Sequence, residues 1–229
     1  YASSSYDMNP YSLMALSETK RLIFYGGSRK DDEVFFRASQ NTNNDYLEND
    51  NVKEEDTHKI TTGKGIVDVI NSQKLNSVQS IDFFSHSGRE NLYFKKGVND
   101  LYRDKSIQRS SQLFKRKSAS LDEINFDVFT NNAKIEFHGC NTASFEEGYD
   151  DDTFAQYFSR KLQEAGKEKA VVIGHMTQAN PNGHKTLNGD DYRHGRRRVF
   201  HNGEVLFYTS KEGRLTPADI NRYLTKKEN

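Results

Sequence analysis

Cys140 is the only cysteine among 229 residues, so it is the only candidate thiol nucleophile and no internal disulfide can form. A thiol attacks poorly until it loses its proton, and an imidazole beside it supplies the base or the cationic partner. His86 stands 54 residues earlier. Each of the two follows a short apolar run and lies near a glycine. Residues 80–84 (SIDFF) lead into Ser85-His86-Ser87-Gly88, and residues 134–137 (KIEF) lead into His138-Gly139-Cys140. In an open α/β sheet, reactive groups collect at the carboxyl ends of the strands. Acyl transfer also needs N–H donors for an oxyanion, which the backbone at Cys140, Ser87 and Gly88 can give. The chemistry indicated is thiol attack on a carbonyl, with no cofactor required.

Other reactive side chains carry weaker signals. His138, two residues before the cysteine, reads as a packed or orienting residue. A zinc site of His86, His138 and Cys140 would lack the paired-ligand spacing of such sites, so no metal is expected. His175 follows the apolar run 170–173 (AVVI) and reads as a polar loop residue near the same rim. Gly26-Gly27-Ser28 follows residues 21–25 (RLIFY) but lacks the glycine spacing and the lysine of phosphate-binding loops, so it reads as a turn. The basic run Arg193 to Arg198 can touch nucleic acid or can guard a strand edge. With 33 basic and 33 acidic residues the chain has no global pull toward nucleic acid or anionic membrane, and no nucleic-acid partner is expected.

The elements that must position these residues are short. Apolar runs at 21–25, 80–84, 134–137 and 170–173 read as buried strands. Residues 65–73 place Ile66, Val67 and Ile70 on one helix face. Residues 153–165 place Phe154, Tyr157, Phe158 and Leu162 on another and close at Gly166. Residues 32–38 read as one or two helical turns, and the Asn- and Asp-rich stretch 41–59 as a long loop. Residues 91–96 read as a short extended piece, 97–119 as a basic polar connection, and 121–129 as a short helix capped by Ser118 or Ser120. Asn202-Gly203 predicts a hairpin between 197–200 and 204–208, and Thr216-Pro217 predicts a capped C-terminal helix. The alternation gives an α/β fold: a mostly parallel sheet with helices on both faces and a C-terminal hairpin. No stretch approaches the roughly 18 apolar residues of a membrane helix. The start of the chain has no signal-peptide pattern, and a first residue of Tyr suggests a piece of a longer protein. Residues 1–19 read as an arm or linker and 20–229 as one domain.

The two segments 81–88 (IDFFSHSG) and 135–143 (IEFHGCNTA), with the helix that follows, resemble the caspase-like cysteine peptidases, a group that includes caspases, gingipains, separases and bacterial CHAT-type domains. The resemblance spans about residues 20–175. It implies a caspase-like three-layer fold, His86 as the base and Cys140 as the nucleophile of an endopeptidase that cleaves protein substrates through an acyl-enzyme. Caspases place the histidine about 50 residues ahead of the cysteine. The family commonly has glycine directly after the histidine, whereas this chain has Ser87 and then Gly88, which leaves the oxyanion donor open. The glutamine-alanine-cysteine signature of true caspases is missing, so a preference for aspartate does not carry over. A pocket for a basic side chain can draw on Asp150, Asp151, Asp152, Asp190 and Asp191, and a pocket for an acidic one on Arg193 to Arg198. The likeness to domains of bacterial secreted proteins and polymorphic toxins implies a catalytic domain secreted or delivered into a target cell, with an inhibitor or immunity protein as a partner. Two rivals are a caspase-like fold kept as a catalytically silent binding module and a nucleic-acid-binding domain acting through residues 193–198.

Overall fold

The computed structural model describes residues 19–27, 30–49, 55–94, 99–111, 117–181, 187 and 189–229, so the expected arm at 1–19 lies outside the described residues except for Thr19. A seven-stranded sheet runs through the centre. Its order is β11 (Glu204–Thr209), β10 (Arg197–His201), β9 (Val171–His175), β8 (Phe129–Phe137), β3 (Val78–Phe84), β1 (Lys20–Tyr25) and β2 (Glu55–Lys59). The run from β9 to β2 is parallel; β10 and β11 form an antiparallel hairpin on the β9 edge, turned at Asn202-Gly203 as expected. A smaller sheet follows β3 in the chain: β4 (His86–Ser87), β5 (Asn91–Tyr93), β6 (Leu101–Tyr102) and β7 (Ala119–Ser120).

Helices cover both faces, because side chains alternate along each strand. Leu22, Phe24, Ile81, Phe83, Ile135, Phe137, Val172 and Phe200 pack on one face against α2 (Gly63–Asn71), α4 (Phe154–Glu164) and the small sheet. Phe24, Phe83 and Phe137 stack in sequence across three strands at 5.2 and 4.9 Å, and Phe154 and Phe158 of α4 meet Phe137 edge-on. On the other face Ile23 and Phe84 pack under α1 (Asp32–Asn49), and Val171, Ile173, Val199 and Phe207 pack under α5 (Pro217–Lys227). The short α3 (Lys105–Ser110) lies beside the small sheet. Helix starts are fixed locally. Thr62, Thr153 and Thr216 each accept a backbone N–H from the first turn, and Pro217 pre-sets the start of α5.

The second face differs from the first in being charged. Arg21, Asp82, Lys134, Glu136 and Arg197 all point into it, from β1, β3, β8 and β10, and are buried or nearly so. Arg197 Nη1 donates to Glu136 Oε1 at 2.8 Å, Arg21 lies 3.8 Å from Asp82, and Lys134 Nζ donates to the Tyr46 phenol at 2.5 Å. This explains the first departure from the sequence reading. Residues 41–49 are not loop; α1 continues to Asn49 and buries Thr42, Asn43 and Tyr46. A helix over a charged sheet face needs a polar inner side, so its sequence shows no apolar stripe. Residues 55–59 form β2, an edge strand whose polar residues suit its half-open position. Residues 121–129 are not a helix either. They form two 3₁₀ turns, Leu121–Glu123 and Phe126–Val128, because Asn125 caps a new turn through Asp127 N–H, and Phe129 already opens β8. The connection at 97–119 contains β6 and α3 where it is described.

Burial by itself opposes the charge on Glu136, but the charges of His138, Lys134 and Arg197 outweigh it and hold its pKa at about 2. Its unfolded value is about 4.3, so its ionised form stabilises the fold above that pH, and the contribution is lost as pH falls through 2. Glu136→Gln should therefore lose about 3–5 kcal/mol at pH 7, since Arg197 is left buried without its carboxylate. Urea unfolding from pH 5 to pH 2 should fall less steeply in the variant than in the wild type; parallel curves would refute a charged Glu136.

Candidate active site

Three neighbouring parallel strands deliver the site. Phe83 of β3 pairs with Phe137 of β8, and Phe24 of β1 pairs with Phe83, so the three strands end side by side. Beyond β1 the chain turns through Gly26-Gly27. A Cβ at Gly26 would stand 1.9 Å from the Ile60 carbonyl oxygen, so only glycine fits. Gly26 N–H donates to Phe84 O and Gly27 N–H to Asp32 Oδ1, which brings Asp31 to the mouth of the strands as α1 begins. The expected turn at 26–28 is present as far as Gly27; Ser28 lies outside the described residues.

His86 follows β3 directly. Its Nε2–H donates to Asp31 Oδ2 at 2.7 Å, and its ring meets the Phe35 ring edge-on at 5.2 Å. Phe35 packs in turn on Tyr192. Burial raises the Tyr192 phenol pKa, and the negative charges of Asp190 and Asp31 push it the same way. Tyr93, opposite His86 in the small sheet, is raised first by burial and further by Asp100, Glu90 and Cys140. The segments that follow β3 and β8 touch, with Ser87 Oγ against the Cys140 carbonyl, so His86 and Cys140 stand on neighbouring segments at one end of the sheet.

Cys140 sits where β8 ends and the chain reverses. Asn141 takes a left-handed φ of 59°, tolerable for asparagine, and its N–H donates to Thr177 O. The partly exposed sulfur accepts the Ala179 N–H at 3.2 Å. Ser87 Oγ donates to the Cys140 carbonyl at 2.7 Å and ties the two segments together. Two arginines hold the turn from outside. Arg198 donates to the Ala143 and Ser144 carbonyls at 2.7 and 2.8 Å, and Arg89 to Ser144 O at 2.9 Å.

The backbone donors can be sorted. Gly88 N–H is taken by Asn91 O, so Gly88 does not serve as an oxyanion donor as the sequence had allowed. Along an antiparallel pair, successive residues turn their N–H alternately toward and away from the partner. Ser87 therefore turns its N–H away from β5, to the free edge of the small sheet. That edge faces the cysteine segment, since a Cβ on Gly139 would stand 2.5 Å from the edge-directed Ser85 carbonyl oxygen. The Cys140 N–H has no acceptor among the described residues. Among the described residues, Ser87 and Cys140 are thus the candidate donors where the two segments meet.

His138 does not join them. It is buried on the second face, stacked on Phe84 at 4.0 Å, with Nε2 on Asp82 Oδ1 at 2.9 Å. It is packed, one of the two readings its position allowed. Among the described residues Asp82, Glu136 and His138 bring three ligand-type atoms within 4.8 Å, but Arg197 and Lys134 already face this group. His175 is the buried last residue of β9 rather than a loop residue. Burial first, then the charge of Arg197, pushes its pKa down to about 3, so it is neutral.

The aspartates proposed for a basic pocket separate. Asp152 holds Arg160 through both oxygens, Asp190 holds Arg37, and Asp191 is buried against Arg193. Asp150 and Asp151 are exposed on the segment that Arg89 fastens through the Asp151 carbonyl. Of the basic run, Arg193, Arg197 and Arg198 are buried in internal contacts, which removes them from any surface patch for nucleic acid. Among the described residues no helix is long and apolar enough to cross a membrane. A cleft lined by Arg21, Tyr46, Ser80 and Lys134 opens at the amino ends of β3 and β8, the far end from Cys140. The sequence reading missed Asp31, Ala179 and Tyr192. The strand-end rule applied to β1 as well as to β3 and β8 would have drawn in Asp31.

No family model, no curated protein and no solved structure matches the chain.

Gly139 lets the two segments approach closely: a Cβ there would lie 2.1 Å from Ser87 Oγ as well as against Ser85 O. Gly139→Ala should drive them apart. Labelling of Cys140 by iodoacetamide should slow at least tenfold at pH 7, with melting lowered only modestly. Unchanged labelling would mean that the approach of the segments does not set thiol reactivity.

Proposed function

We propose that the chain is a caspase-like cysteine endopeptidase acting through His86 and Cys140. The observation that carries this reading is that the sole thiol and a histidine follow the carboxyl ends of adjacent parallel strands, on segments that touch through Ser87 Oγ and the Cys140 carbonyl.

The steps follow from the groups present. His86 accepts the thiol proton, and the Cys140 sulfur attacks the carbonyl carbon of a peptide bond. The N–H groups of Ser87 and Cys140 hold the oxyanion of the tetrahedral intermediate. The imidazolium then gives its proton to the departing amine, leaving a thioester. His86 next takes a proton from water, whose oxygen attacks the thioester, and the carboxylic acid product leaves as the thiol is restored. No cofactor enters these steps. Protein substrates, residence in a larger secreted or delivered bacterial protein and control by an inhibitor protein form part of the same proposal, and they rest on the resemblance of 81–88 and 135–143 to that family.

Cys140 is the only cysteine, so alkylation reports on it alone. A free thiol titrates near 8.5. Wild type should label rapidly at pH 6.5, and His86→Ala should slow labelling by about 10²-fold. The wild type should also cut a denatured-protein or peptide-library substrate, with Cys140→Ala inert. Slow labelling indifferent to His86, together with no cleavage, would sink the peptidase and favour a silent binding module.

A further inference from the structure

We infer that Asp31 is a positioning residue that fixes the imidazole of His86, making the site a three-residue arrangement of Asp31, His86 and Cys140. The inference rests on the reading of His86 and Cys140 as a reactive pair.

The hydrogen bond to Asp31 identifies the imidazole nitrogen that carries the proton. Asp31 Oδ2 lies 2.7 Å from His86 Nε2, and a carboxylate only accepts. Nε2 therefore carries the hydrogen, and in neutral imidazole Nδ1 is then the bare nitrogen that can take the thiol proton. Asp31 selects this tautomer. After proton transfer it faces an imidazolium, with opposite charges in hydrogen-bond contact.

The carboxylate is placed by the fold. Asp31 stands immediately before α1, and its carbonyl accepts the Phe35 N–H at 3.0 Å. The next residue, Asp32, takes the Gly27 N–H at 2.8 Å and pairs with Lys59 of β2 at 3.0 Å, so the turn is pinned from β1 and β2. Phe35, one turn into α1, holds the His86 ring edge-on. The same helix thus supplies the partner for Nε2 and a wall for the ring. The amino end of a helix disfavours a nearby cation, and the Asp31 carboxylate offsets this for the imidazolium.

The pair has little to do with folding. Its side chains are 48% and 40% exposed, and ion pairs that open to solvent contribute little to stability. Removing the carboxylate should therefore change chemistry and leave the fold intact, which separates a positioning role from a structural one.

The test is the alkylation rate of Cys140 by iodoacetamide at pH 6.5 and pH 9, in wild type, Asp31→Asn, Asp31→Ala, Asp31→Glu and His86→Ala, with the melting temperature of each measured alongside. At pH 9 a thiol is largely ionised without help. Asp31→Asn and Asp31→Ala should label about 10-fold more slowly at pH 6.5, part of what a general base contributes. They should stay within about twofold of wild type at pH 9 and melt as wild type does. Asp31→Glu should recover most of the rate at pH 6.5. Wild-type labelling in Asp31→Asn and Asp31→Ala, with His86→Ala slow, would overturn the role of Asp31 and leave the reactive pair standing. An equal loss at both pH values, with lowered melting and no recovery by glutamate, would mark a structural residue and overturn it too. If His86→Ala itself labels like wild type, the pair fails and Asp31 falls with it.

Discussion

Phe83 on β3 lies beside Phe137 on β8, and that parallel register decides where the chemistry can be. The two strands are joined by a stacked aromatic pair, with Phe24 of β1 extending the stack by one strand. A slip of one residue would reverse the facing of every side chain on one strand and turn this aromatic layer toward the charged face. The register therefore carries a large penalty for error. Because it is fixed, the ends of β1, β3 and β8 are fixed with it, and Asp31, His86 and Cys140 follow those ends in turn.

The two faces of the sheet divide the work. The first is apolar and aromatic and holds α2, α4 and the small sheet by burial. The second carries Arg21, Asp82, Lys134, Glu136, His138 and Arg197, each matched by an opposite charge, a phenol or a backbone carbonyl. Ion pairs of this kind add little net stability against well-packed apolar residues, yet removing one member leaves a costly buried charge. Their effect is to commit α1 to this face, since Tyr46 lies over Arg21 at 3.6 Å and accepts from Lys134. The start of α1 is in turn where Asp31 meets His86.

Close contact between the His86 and Cys140 segments depends on small residues and hydroxyls. Gly139 lets the cysteine segment lie against Ser85 and Ser87, and the Ser87 hydroxyl bonds the Cys140 carbonyl. Arg89, three residues beyond His86, reaches the Ser144 carbonyl while Arg198 reaches the same oxygen from β10. The turn after the cysteine is thereby fastened to the strand ends on both sides.

The sequence by itself determined the strands with apolar runs, the helices with a three- or four-residue apolar stripe, the Asn202-Gly203 hairpin and the emergence of His86 and Cys140 at strand ends. These are local patterns, and local side-chain periodicity is enough to reveal them. It did not reveal the second half of α1 or β2, because a helix lying on charged strands and a strand at a sheet edge have no apolar period to read. The tertiary structure alone decided which strands adjoin, and so that the segments carrying His86 and Cys140 touch. It also decided that Asp31 meets His86 across 55 residues of chain, that Gly88 N–H is spent on Asn91 while Ser87 N–H is left open, and that Arg193, Arg197 and Arg198 turn inward instead of forming a basic surface. Each of these depends on strand order and register between distant segments, and neither is written in the spacing of residues along one segment.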